Sequence, residues 1–269
     1  MATKSEEIAD ALAARIGPGR DYPPDSTLPG FDELTREFGV SRLTISRAVE
    51  LLARRNLVRT VKKTGIIVLQ PVARRTVREI VRRSANGYVF PVAASAPGPW
   101  ILHGRHQVGR LPLPEPVAEL FGLDPGTLAL RLRRVSSPPG EPPLQLADTW
   151  LHLAELDSLP ELETWEPGIG GHLDVIEQKA GHGPLSWERR ERVDMPTSEE
   201  AQLLQVARQL PVWRQYTIGT SGRTDRPVEV TAAVIPGARI EYATKLRRDG
   251  SARWPVEAVT PAPVSFDVG

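Results

Sequence analysis

The sequence predicts an α+β protein in two parts, a small helical unit ending in a β-hairpin and a larger unit built on an antiparallel sheet. Three observations carry this. Residues 4–55 place apolar side chains at helical spacing, interrupted twice by glycine turns. Residues 57–69 then become β-rich around a basic tip. From residue 100 onward, short alternating segments are joined by Pro/Gly turns with brief helices between them, a pattern that favours antiparallel over parallel pairing.

The first helix is read from Lys4 to Ile16, capped by Ser5, with Ile8, Leu12 and Ile16 on one face. Gly17-Pro18-Gly19 ends it. A short second helix spans Phe31 to Phe38, and Gly39 supplies a left-handed stop. Ser41 is the N-cap of a third helix from Arg42 to Arg55, which buries Ile45, Ala48, Val49 and Leu52. Leu57–Val61 and Gly65–Leu69 form a hairpin over Lys62-Lys63-Thr64. Helices meeting at a tight glycine turn, followed by a hairpin, spell a winged helix-turn-helix.

That geometry gives the exposed residues a chemistry. The third helix offers its N-terminal end to a DNA major groove, where backbone N–H groups suit phosphates. Arg42 is the candidate for pairing with guanine O6 and N7, because a planar fork matches both acceptors. Leu43 faces outward beside it. Thr44 and Ser46 can serve phosphate or base, while Arg47, Lys62 and Lys63 hold phosphates.

Residues 71–98 read as a connector, with a basic run from Arg74 to Arg83 that fits either strand or helix. Beyond it, strands are expected at Ile101–Val108, Thr127–Val135, Leu144–Leu151, Leu185–Val193, Val212–Thr220, Val228–Ile235 and Arg239–Lys245. Helices fit Pro116–Phe121, Leu173–Ala180 and Ser198–Ala207. The tail, 248–269, has no clear element and is read as peripheral. The domain expectation is therefore 1–70, a linker at 71–98, a second domain at 99–247, and the tail.

Composition sharpens the division of labour. Residues 1–83 carry 16 Lys and Arg against 10 Asp and Glu, whereas 84–269 carry 18 against 23. A basic module joined to an acidic remainder fits a nucleic-acid binder attached to a second function. The absence of cysteine excludes disulfides, thiolate zinc sites, iron–sulfur clusters and a Cys nucleophile. No stretch approaches the roughly 20 apolar residues of a membrane helix, and Met1 to Ile16 is amphipathic, so a cytoplasmic protein without a membrane partner is expected. His103-Gly-Arg-His106 has no third ligand and reads as strand or surface. No Gly-x-Ser-x-Gly elbow, P-loop or dinucleotide turn appears. Neither metal, cofactor nor enzymatic activity is expected.

Leu28-Pro29, Phe31-Asp-Glu-Leu34, Glu37-Phe-Gly-Val-Ser-Arg42, Thr44, Arg47-Ala48 and Leu51-Leu52 together resemble the DNA-binding domain of GntR-family bacterial regulators across residues 6–69. The resemblance implies DNA contacts at Ser41, Arg42, Thr44, Ser46 and Gly65, with Arg36 on the second helix touching backbone. Leu43, Arg47, Lys62, Lys63 and Thr64 complete the candidate surface. Two departures stand out. Gly30-Phe31-Asp32 replaces the family's Ser/Ala-Glu-Arg lead, which removes an arginine, and Lys63-Thr64-Gly65-Ile66 replaces the Gly-x-Gly-Thr wing.

The second part resembles the UTRA ligand-binding domain of the HutC-type subgroup over residues 98–246. The resemblance rests on Glu119-Leu-Phe-Gly-Leu-Asp-Pro-Gly126, Leu130 to Val135 before Gly140-Glu-Pro142, Thr197 to Leu204, and Arg226-Pro-Val-Glu229. It implies a chorismate-lyase-like fold, dimerisation through the sheet, and an effector contacted by Arg134 and Glu229. Ser136 and Ala147 stand where sugar-phosphate-binding relatives carry a second arginine and a glutamate. An arginine–carboxylate pocket suits an anionic small molecule; the alternative is that Arg134 and Glu229 pair across the sheet. The whole reads as a homodimeric repressor of a palindromic operator, released by an effector, and the family resemblance implies a GT…AC-type half-site arrangement. A constitutive DNA-binding protein with an effector-less dimerisation domain and a chorismate-lyase-like enzyme are the alternatives.

Overall fold

The structure, a computed structural model, describes residues 2–252 and 254, except 86, 97, 157–161 and 163–170. The helical unit comprises α1 (Lys4–Arg15), β1 (Thr27–Leu28), α2 (Phe31–Phe38), α3 (Arg42–Arg54), β2 (Val58–Val61) and β3 (Gly65–Val68). The cap of α1 is Thr3 rather than Ser5. Its side chain accepts from the Glu6 N–H, and Glu6 reaches back to the Thr3 N–H at 2.6 Å, a reciprocal box that Ser5 cannot form. Gly39 ends α2 at φ 63°, as its sequence position predicts. β2 and β3 pair antiparallel, and the two-residue β1 adds a third strand beside β3. So brief a strand leaves no periodic trace in the sequence.

Ile8, Leu12, Leu34, Ile45, Leu52 and Ile66 are almost wholly buried in one core. Truncating any of them to alanine is the kind of change that costs about 2–5 kcal/mol. Ala207, from the far end of the sequence, belongs to the same cluster, and Leu210 packs against it.

The chain leaving β3 does not hang as an unstructured tether. It forms β4 (Arg75–Arg78), β5 (Arg82–Ser84), β6 (Gly87–Val89) and α4 (Pro91–Ala94). β4 runs parallel to β14 (Ile240–Ala243), the last strand of the second part, and β5 pairs with β6. Arg75 and Arg239 both engage Glu141, in the turn at 138–143, which locks this segment onto the sheet domain.

Among the described residues the second part is a seven-stranded antiparallel sheet of β7 (Ile101–Leu102), β8 (Gln107–Pro112), β9 (Leu128–Ser137), β10 (Gln145–Leu151), β11 (Ser186–Asp194), β12 (Val212–Thr220) and β13 (Pro227–Pro236). Their order is β11-β12-β13-β10-β9-β7, with β8 also on β9. The helices α5 (Glu115–Phe121), α6 (Leu153–Leu156), α7 (Gly171–Asp174) and α8 (Ser198–Leu203) decorate it. One strand expected at 101–108 is two, because His103-Gly104 breaks it and Gly104 sits at φ 82°. The helix expected over 173–180 is α7 followed by a π-turn, Val175–Lys179. α8 stops at Leu203, short of Ala207, because Gln205 turns left-handed at φ 54°. The tail from 255 onward lies outside the described residues.

Candidate functional site

Two surfaces carry chemistry. On the first, Ser41 Oγ accepts from the Thr44 N–H at 3.2 Å and lies 2.9 Å from Thr44 Oγ1, so both hydroxyls are tied into the start of α3. Arg42 is the first residue of that helix and is exposed. Leu43 is 62% exposed, an unusual cost for leucine and a suitable apolar contact for a thymine methyl. Ser46 and Arg47 are exposed one turn on, and Arg36 is exposed on α2.

At the hairpin tip Lys62, Lys63 and Thr64 all face solvent. Lys63 has φ 68° and Gly65 φ 110°, which turns the chain sharply under the two lysines. A Cβ at Gly65 would meet Thr27 Cγ2 at 3.3 Å, so the glycine also lets the wing close on β1. Arg42 is not idle in this state: Asp32, in the place of the missing arginine of the α2 lead, ion-pairs with its guanidinium, which also lies 5.5 Å from the Phe31 ring centre.

The second surface is a cavity of about 130 Å³ on one face of the sheet. Strand alternation puts its polar groups there. Cross-strand pairing aligns Arg134 with Ala147, Ala147 with Ala233, and Ala233 with Gln215. The next row aligns Thr149 with Thr231, Thr231 with Thr217, and Thr217 with Arg189. Two adjacent alanines flanked by long polar side chains leave a hollow. The roof comes from Tyr88 and Phe90, at β6 and just before α4, and from Trp100 beside β7.

Arg134 and Glu229 both line this cavity but do not pair with each other. Arg134 Nη1 donates to Thr149 Oγ1 at 3.0 Å, Thr149 and Thr231 hydroxyls lie 2.8 Å apart, and Thr231 donates to Glu229 Oε1 at 2.7 Å. His172 Nε2 stands 3.4 Å from the same oxygen. Burial opposes ionisation of Glu229. The hydrogen bonds from His172 and Thr231 and the charge of Arg134 outweigh it, and its carboxyl sits below the ordinary range. Burial lowers Arg134, against the pull of Glu229 and Asp148.

Sequence reasoning misses Arg189, Gln215, His172 and the aromatic roof. Arg189 has a legible signal, since alternation along β11 puts it on the same face as Trp187. Tyr88 and Phe90 have none, because they lie in a stretch that reads as a connector; Trp100 stands at the start of the expected second domain, just before its first strand. Ser136 lines the cavity, while Ala147 is buried opposite Ala233.

A winged helix-turn-helix joined to an antiparallel sheet with a polar cavity defines a class, the ligand-responsive transcriptional regulator. The family comparisons agree. Residues 4–68 match the bacterial regulatory proteins of the gntR family, and residues 106–241, just over half of the chain, match the UTRA domain. The chain belongs to the GntR family and carries a UTRA domain; the family is one of regulators rather than enzymes.

An uncharacterised HTH-type transcriptional regulator of Rhizobium meliloti strain 1021 is 32% identical over 142 residues, 51% of this chain and 53% of that protein. The chain thus matches about half the length of this curated relative. A crystal structure of a GntR-family transcriptional regulator superposes with a TM-score of 0.51 at 22% identity, covering 91% of this chain and 98% of that one. The structure of PhnF from Mycobacterium smegmatis aligns at 19% identity over 92% and 100% of the two chains, with a TM-score of 0.47. Among the described residues no helix is long and apolar enough to cross a membrane.

Proposed function

We propose that this chain is a cytoplasmic repressor that binds a palindromic operator as a homodimer and is released when a small molecule enters the sheet cavity. One observation carries the reading. The chain that leaves the wing at Val68 runs through β4 and supplies Tyr88, Phe90, Val92 and Ala93 to the cavity wall. A ligand packed against those residues acts on the segment that holds the wing, which is the physical requirement for coupling the two sites.

In this reading Arg42, Leu43 and Ser46 address the major groove, and Arg36, Arg47, Lys62, Lys63, Thr64 and Gly65 approach the backbone beside it. Two-fold protein symmetry then demands a two-fold operator. The test combines fluorescence anisotropy on the protein's own upstream DNA with sedimentation of the complex. Binding of two chains to one inverted repeat, weakened by a metabolite, supports the proposal. One chain per site, or a DNA affinity that no metabolite alters, overturns it.

A further inference from the structure

β11 is the long open edge of the sheet. Among the described residues its nine positions pair with β12 on one side and with no strand on the other. The opposite edge is interrupted: β7 stops at Leu102, β8 begins at Gln107, and β8 holds Gly109 and ends at Pro112. An open edge presents a row of backbone N–H and C=O groups to any strand that lies beside it, and proteins commonly obstruct it with proline, lysine or a bulge. β11 has none of these. It contains neither proline nor lysine, and its register against β12 is continuous from Ser186 to Asp194.

Its charges do not keep a second copy away. Arg189, Arg190 and Arg192 are balanced by Glu188, Glu191 and Asp194, so the strand carries no net charge. Their order is also self-complementary. A two-fold axis normal to the sheet keeps every side chain on its own face, so even-numbered residues must oppose even and odd oppose odd. Centred on Arg190, all nine residues find partners. Glu188 then faces Arg192 and Arg189 faces Glu191, each twice by symmetry, and such facing pairs stabilise a ladder. Trp187 faces Val193, which is 60% exposed in the single chain.

The like pair at the axis is the weakest point of this register, and it is already cushioned. Arg190 Nε donates to Glu188 Oε1 of its own strand at 2.7 Å. Other centres match less well. Moving the axis to 191 sets Arg190 against Arg192 and Glu191 against itself. Moving it to 189 sets Trp187 against Glu191 and keeps only the Glu188–Arg190 pairing.

We propose that β11 is the docking edge for a second copy of this chain, paired antiparallel about Arg190 so that two sheets become one. This rests on the homodimer reading above and names the surface and register that serve it. Because Arg189 lines the sheet cavity, the Glu191 of the second copy borders that cavity in the pair. Assembly and the cavity thus share one strand.

The test is sedimentation of the full-length protein carrying Glu188→Arg, Arg192→Glu, or both. Both positions are exposed, and circular dichroism verifies the fold. Each single swap places like charges opposite each other at two symmetric sites and should raise the dimer dissociation constant about tenfold or more. The double variant should restore it. Mixing the two single variants should also restore it, as a heterodimer, because position 188 of one chain then meets its opposite charge at 192 of the other. Hydrogen exchange gives a second readout: amides of β11 should slow on dimerisation and those of β8 should not. A wild-type chain that stays monomeric overturns both this proposal and the homodimer reading. A wild-type dimer that neither swap weakens, or protection that falls on β8, leaves the homodimer and overturns the β11 edge. Swaps that weaken the dimer without rescue by mixing overturn the register about Arg190.

Discussion

Asp32 holds the guanidinium of Arg42 across the helix-turn-helix, from the first turn of α2 to the first turn of α3. The residue proposed to read guanine thus has an anionic partner within its own chain, which DNA would have to displace. Both side chains are largely exposed, so the pair is worth little in stability. Its effect falls on binding. Asp32→Ala should tighten DNA affinity several-fold on every sequence, because it removes a negative charge from a phosphate-facing surface and frees the fork. Arg42→Ala should instead cost about 1–3 kcal/mol and relax the base preference at one position per half-site. Anisotropy on matched and singly substituted operators separates the two; unchanged affinity in both variants would remove this surface from DNA contact.

The wing makes a different kind of prediction. Lys62→Ala combined with Lys63→Asn, an asparagine that tolerates the left-handed backbone at 63, should weaken all DNA sequences alike. The dependence of log affinity on log salt should flatten by about one for each phosphate that the wing no longer neutralises. Selective weakening at one base would instead place the tip in a groove.

Arg134→Ala breaks the threonine relay to Glu229 at its cationic end. DNA affinity without ligand should stay within about twofold, and the response to ligand should disappear. A protein that no longer folds would show that Arg134 serves the sheet rather than the cavity, and the thermal melting curve checks this.

Acid sensitivity should centre on Glu200. Burial pushes its carboxyl up, but Arg214 donates to both oxygens, at 2.8 and 3.1 Å, and the Thr197 N–H adds a third bond at 2.8 Å. The balance holds the group below its ordinary range. The stability it contributes is present above the unfolded-state value, about 4.3, and is lost as pH falls through the depressed folded value. Glu200→Gln should cost about 1–3 kcal/mol at pH 7, and the gap to wild type should narrow by pH 3. Urea midpoints at the two pH values measure it.

How far the sequence reveals this molecule depends on the range of the interactions involved. α2, α3 and the hairpin are set by local chemistry: Gly39 at its left-handed stop, Ser41 at its cap, and apolar spacing in between. All of it is legible residue by residue. Resemblance alone singles out Arg134 and Glu229, and the cavity wall holds both. Alternation along β11 shows which face Arg189 shares, but that this face borders a cavity only the assembled sheet reveals. Tyr88 and Phe90 stay hidden because β4 takes its partner, β14, from 165 positions along the chain, at Ile240 beside Arg75. No periodicity within a short window reports such a pairing.

Ala207 is 2% exposed within the core of the helical unit, although it follows the last helix of the sheet domain. A fragment cut after residue 70 would lack that side chain and Leu210 and open their seat to water. The DNA-binding head is therefore not a detachable module. Calorimetry of the whole chain should give a single cooperative transition, and the isolated head should melt several degrees lower than its covalently complete counterpart. Any event that draws the 205–210 loop toward the sheet would remove Ala207 and Leu210 from this core and loosen the head from within.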